Sequence, residues 1–180
     1  MNHFTRILAF AALAVAAVIP AAAVDVEDAT PTPAPILSTE IGGRDLGFLM
    51  GAAPQIALLA GLADLAKSRA VTPEVQSEAA TVSKEQTAAA AQLKDLAARD
   101  HVSLGGDPDD QGGKVLADLR KLDGVKFDKA FLDAQADAQD ALETTLNGGA
   151  TSSDQSIKTF ATANLQTLKE ERDRVRKLGL

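Results

Sequence analysis

The chain has 180 residues, with no cysteine, tryptophan or tyrosine, and its 25 acidic against 18 basic residues give a net charge of −7. The missing cysteines exclude disulfides, thiolate chemistry, iron–sulfur clusters and cysteine-ligated zinc. The acidic balance opposes binding to nucleic acid or anionic lipid, and without Tyr or Trp there is little on which to stack bases or sugars.

Residues 1–23 read as an export signal. Arg6 supplies the positive start, residues 7–19 are an unbroken apolar run, Pro20 breaks it, and Ala21-Ala22-Ala23 offers small residues for cleavage. The run is shorter than the ~20 residues that span a bilayer, and no later segment reads as a span. No cysteine follows the signal, so a lipid anchor on an N-terminal cysteine is excluded. Cleavage removes Arg6 and no acidic residue, so the mature charge becomes about −8. The style of the signal is bacterial, and the expected location is the periplasm. Residues 24–42, with Pro31, Pro33 and Pro35, read as a solvated linker.

Residues 43–180 read as one helical domain. A first helix is expected over residues 44–70, with Leu46, Leu49, Ala53, Ile56, Ala60 and Ala63 as its packing face and a bend or restart at Pro54. Thr72-Pro73-Glu74 starts a second: a capping threonine, proline at the first position, then an acid. It runs to about residue 100, and Gly105-Gly106-Asp107-Pro108 forms the turn after it. A short helix is expected over residues 113–122, followed by a break at Leu122-Asp123-Gly124. A third long helix spans residues 127–146 and stops at Asn147-Gly148-Gly149. The fourth is capped by Ser152, Ser153 or Asp154 and runs to the end. No stretch alternates with period two, so no strand is expected. The fold class is all-α: an antiparallel four-helix bundle with a short extra helix between helices two and three.

The helical seams are interrupted by polar residues. The second helix reads Val75, Ala79, Val82, Gln86, Ala89, Leu93, Leu96; the third Leu132, Gln135, Gln139, Leu142, Leu146; the fourth Ile157, Ala161, Asn164, Leu168, Glu171, Val175, Leu178. A polar group in such an interior costs stability unless it is hydrogen-bonded. Gln86, Gln139 and Glu171 therefore form a candidate polar cluster, expected to meet in one layer with Glu171 held by at least one amide.

Catalytic chemistry finds few candidates. His101 sits beside Asp100 at a helix end, where a terminal-charge role is the common one. Gly105-Gly106 and Gly112-Gly113 follow no strand and make no phosphate loop. Asp107, Asp109 and Asp110 lack the later glycine and glutamate of a calcium loop and read as a helix cap. Glu85, Asp137, Glu170 and Glu171 have no Glu-x-x-His among them, the motif of a di-iron helical centre. The cluster of Arg172, Arg174, Arg176 and Lys177 complements the negative end of the last helix.

Phe48-Leu49 with Ala52-Ala53, Thr72-Pro73-Glu74-Val75, Leu93-Lys94-Asp95-Leu96-Ala97, Phe127-Asp128-Lys129-Ala130-Phe131-Leu132 and Phe160-Ala161 follow one another in an order and spacing that resemble the family called domain of unknown function 4142. These are exported bacterial proteins, often labelled outer-membrane proteins. The resemblance covers about residues 44–178 and implies a ferritin-like four-helix fold. It also implies an acid–histidine pair or its like in helices two, three and four. Here those positions read Glu85-Gln86, Ala138-Gln139 and Glu170-Glu171, so the histidines are absent.

These observations lead to an exported, non-catalytic helical-bundle protein of the envelope, with no enzyme activity, no cofactor, no metal, no nucleic-acid partner and an unidentified envelope partner. The alternative is a degenerate ferritin-like site for a metal or small ligand. Its donors would be Gln86, Gln139 and Glu171, whose oxygens suit a hard cation better than a transition metal. A third reading has the basic residues 172–177 dock on anionic partners.

Overall fold

The computed structural model describes residues 41–178. The expected signal, and the expected linker up to residue 40, lie outside the described residues. Ile41 packs against the core, and the Gly42 carbonyl accepts the amide of Leu46.

Among the described residues there are five helices and no strand: α1 (Gly43–Arg69), α2 (Pro73–Arg99), α3 (Asp110–Leu119), α4 (Gly124–Gly149) and α5 (Gln155–Leu178). The four long helices close a ring. Helices α2 and α4 each pack against both α1 and α5, and the short α3 lies on α1 and α4. Phe127, Phe131, Leu49, Ile56, Leu59, Leu62, Leu93, Leu142, Leu146 and Leu168 fill the interior. Each such side chain contributes ~1.5–3 kcal/mol by leaving water.

Helix α1 differs from its expected form in two ways. From Leu46 to Ala63 it carries no charge, so it has no polar face against which to read a stripe. With neighbours in α2, α3 and α4 it buries Phe48, Leu49, Ala52, Ile56, Leu59, Leu62, Ala63 and Ala66, while Leu46 is exposed. It also continues through Pro54 without restarting. The bond lost there would have gone to the carbonyl of Met50, an exposed residue. By length and composition α1 meets the requirement for crossing a membrane, which the sequence reading granted to no segment after the signal.

Caps fix the helix ends. Thr72 occupies the N-cap of α2, but its side chain makes no capping bond. The bonds come from Asp128 of α4, whose carboxylate accepts the amides of Val71 at 3.1 Å and Thr72 at 2.9 Å. Asp109 accepts the amide of Gly112 at 2.7 Å, so α3 starts at Asp110 and takes Gly112-Gly113 inside it. Asp154 caps α5 through the amides of Ser156 and Ile157. At the end of α2 the amide of His101 bonds the carbonyl of Ala98 and that of Val102 the carbonyl of Ala97. This is a Schellman closure, with His101 at φ 57 where glycine is usual.

Helix α4 runs through Asn147-Gly148-Gly149, the expected stop. Gly149 serves packing instead: a Cβ there would overlap the ring of Phe48, which meets Phe160 of α5 edge-on at 6.1 Å. Glycine thus lets α1 reach across the end of α4.

Replacing Asp128 with Ala is expected to cost ~1–3 kcal/mol in urea unfolding, because two backbone amides between α1 and α2 lose their buried acceptor.

Candidate functional site

Gln86 of α2, Gln139 of α4 and Glu171 of α5 meet in the interior. They are 2 %, 2 % and 0 % exposed. The Nε2 of Gln86 donates to Glu171 Oε1 at 2.9 Å, and the Nε2 of Gln139 donates to Glu171 Oε2 at 2.6 Å. A carboxylate only accepts, so these contacts fix which end of each amide faces it. Each carboxylate oxygen is thereby tied to a different helix. Asn164, the other polar residue of that seam, takes no part; its amide donates to the Phe160 carbonyl one turn back.

A second tier of charge lies beside this layer. Arg174 donates from Nε to Glu78 Oε2 at 2.9 Å and from Nη2 to Glu85 Oε2 at 2.7 Å, joining α5 to α2. Burial pulls this guanidinium down, but the bonds to Glu78 and Glu85 outweigh it and hold Arg174 above its ordinary value. On the other side Arg172 bonds Asp140 and Glu143 of α4. The arginines read from sequence as a helix-end cluster, or as a docking tail, are thus engaged within the chain. Arg176 pairs with Asp173 on its own helix.

Burial disfavours the charge on Glu171 and raises its pKa to about 7. The two amide bonds oppose the shift, while the negative charge of Glu85 adds to it. Several buried polar atoms find no partner among the described residues, among them Gln86 Oε1, Glu78 Oε1 and both amide atoms of Gln135, which is 1 % exposed.

The model of the family described as Domain of unknown function (DUF4142) matches residues 38–178. The chain belongs to this family. No curated protein and no solved structure matches it.

The three positions where the resemblance to the DUF4142 family implies histidine are the carboxylate Glu171 and the two amides that bond it. The ferritin-like fold that the resemblance implies would carry a metal centre, and this donor set does not fit one. Both oxygens of Glu171 are taken by amide hydrogens, imidazole is absent, and among the described residues no group of three or more His, Cys, Asp or Glu is placed to hold a metal ion. His101 is exposed at the end of α2, away from these groups. The loop acids divide similarly: Asp109 is a cap, and Asp107 and Asp110 are exposed.

Sequence reasoning missed Glu78 and the role of Arg174. Glu78 lies one residue before Ala79 of the α2 seam and reads as a solvated acid. The available signal was its spacing: Glu78 and Glu85 are seven residues apart, two turns on one helix face, a suitable bracket for one arginine.

Replacing Glu171 alone with Leu is expected to cost ~1–3 kcal/mol at mildly acidic pH, because it leaves the Gln86 and Gln139 amides buried without an acceptor. Thermal or urea unfolding measures the loss.

Proposed function

We propose that this chain is an exported, non-catalytic protein of the bacterial envelope with a structural or interaction role, built as an antiparallel four-helix bundle of the ferritin-like type. The observation that carries the reading is the closed layer at its centre. Where a metal-binding relative of such a fold would present imidazole and open coordination positions, this chain presents one carboxylate already bonded by two amides. Amide and carboxylate side chains in this state hold helices together and offer no nucleophile or proton relay to a substrate.

The location rests on residues 1–23, whose charged start, apolar run and small-residue end fit secretion. The ring of helices α1, α2, α5 and α4 supports the bundle, since each long helix has two long neighbours.

Expression of the full chain in a bacterium, followed by fractionation and metal analysis of the purified protein, tests the proposal. The expected outcome is processed protein in the periplasmic or envelope fraction without stoichiometric transition metal. Unprocessed protein in the cytoplasm overturns the location, and one tightly bound transition metal per chain overturns the closed-layer reading.

A further inference from the structure

One buried side chain stands apart from the central layer. Gln135 of α4 is 1 % exposed, and neither its Oε1 nor its Nε2 finds a partner among the described residues. An amide sealed from water with its donor and its acceptor both unused is costly, and a leucine there would continue the seam without that cost. One turn further along α4, Gln139 is spent on Glu171. Gln135 has no such carboxylate to meet.

What it meets is a cleft. Gln135 and Gln139 line a groove of about 210 Å³ between α4 and α5. Leu132 and Ala136 of α4 and Val175 of α5 give it apolar walls, and Arg172 and Arg176 of α5 complete it. Among the described residues no acid lines it. Arg172 is committed to Asp140 and Glu143. Arg176 has only Asp173, on its own helix at 3.2 Å, and an exposed pair of this kind yields easily to a competing anion. The cleft therefore combines an unpartnered donor, an unpartnered acceptor, an available cation and an apolar wall. It is smaller than the ~300–1,000 Å³ of drug-sized ligand sites, so a small occupant suits it.

We propose that this cleft binds the carboxylate end of an acylated amino acid, the chemistry shared by a free N-acylamino acid and by the last residue of a peptide chain. In an extended residue the N–H and the following C–O group point to the same side. One carboxamide can take both: Oε1 of Gln135 accepts the ligand's N–H, and Nε2 donates to one carboxylate oxygen. The second carboxylate oxygen meets the guanidinium of Arg176. The ligand's side chain lies against Leu132, Ala136 and Val175, which suits a small apolar one. The amide atoms of Gln135 are closed to water in this structure, and binding turns them toward the cleft. That turn gives up no hydrogen bond, because the amide makes none where it is.

Binding and stability are then opposed at Gln135. Its amide weakens the folded chain and recognises the ligand, whereas a residue kept only for packing would serve stability alone.

An NMR titration of the isotope-labelled full chain with N-acetylalanine tests this. The expected result is saturable shifts centred on Gln135 and Val175, with binding ~10-fold weaker for N-acetylalanine N-methylamide, which has the amide but no carboxylate. Trialanine separates the two sources: tighter binding than N-acetylalanine assigns the cleft to chain ends, and weaker binding assigns it to free acylamino acids. Gln135→Leu is expected to abolish the shifts while its folding constant in urea unfolding rises ~10-fold. Arg176→Gln, at an exposed position, is expected to weaken binding ~10-fold and leave stability unchanged. A titration without saturable shifts at the cleft, equal binding of the N-methylamide, or binding retained in Gln135→Leu overturns the proposal. So does a Gln135→Leu chain that is less stable than wild type or does not fold, because the amide would then have its partner in the interior.

Discussion

One carboxylate organises the interior of this molecule. Glu171 comes from the last helix, and its two oxygens face α2 through Gln86 and α4 through Gln139. Burying a charge without a partner costs several kcal/mol, so a fully buried Glu171 is tenable only with donors supplied. That need constrains three helices at once. The register of α5 against α2 and α4 has to bring both amides to the same residue, and a slip of one residue along the helix would rotate the carboxylate by about a quarter turn. Polar contacts of this kind specify an arrangement more than they add net stability.

The arginines of α5 repeat the device at the rim. Arg174 reaches α2 at two acids spaced two turns apart, and Arg172 reaches α4 at Asp140 and Glu143. The last helix has little apolar surface of its own, with Ile157, Phe160, Ala161 and Leu168 as its buried hydrophobic residues. Its attachment over the final turns is therefore largely ionic and amide-mediated, whereas α1 joins α2 and α4 mainly through aliphatic and small side chains, with Ser83 of α2 bonded to Asp64 and Lys67 as a polar addition.

How much of this was legible in the sequence varied with the strength of the local pattern. The α2 seam, from Val75 through Gln86 to Leu96, is buried residue for residue, because that helix has a polar outer face against which the stripe stands out. In α1 the same reasoning misplaced Leu46 and omitted Phe48, since a charge-free helix with three packing neighbours shows no period. Helix ends were misjudged where glycine was taken as punctuation. Gly112 lies inside α3 because Asp109 caps ahead of it, and Gly149 stays in α4 because Phe48 needs its space. The position of the α2 cap was readable from Thr72-Pro73, but its chemistry was not, because the acceptor, Asp128, is distant in sequence. Gln86, Gln139 and Glu171 were visible as polar interruptions of apolar seams. Glu78 and Arg174 were not, because surface acids and a C-terminal arginine have many ordinary explanations.

The central claim is that Glu171 and the two amides act as one unit, and a double-mutant cycle between Glu171→Leu and Gln139→Leu measures it most directly. If the unit exists, the double variant is less destabilised than the two single variants combined, with a coupling of ~1–2 kcal/mol. Losses that add to within ~0.3–0.5 kcal/mol would mean that the side chains do not act on one another, and would contradict the account.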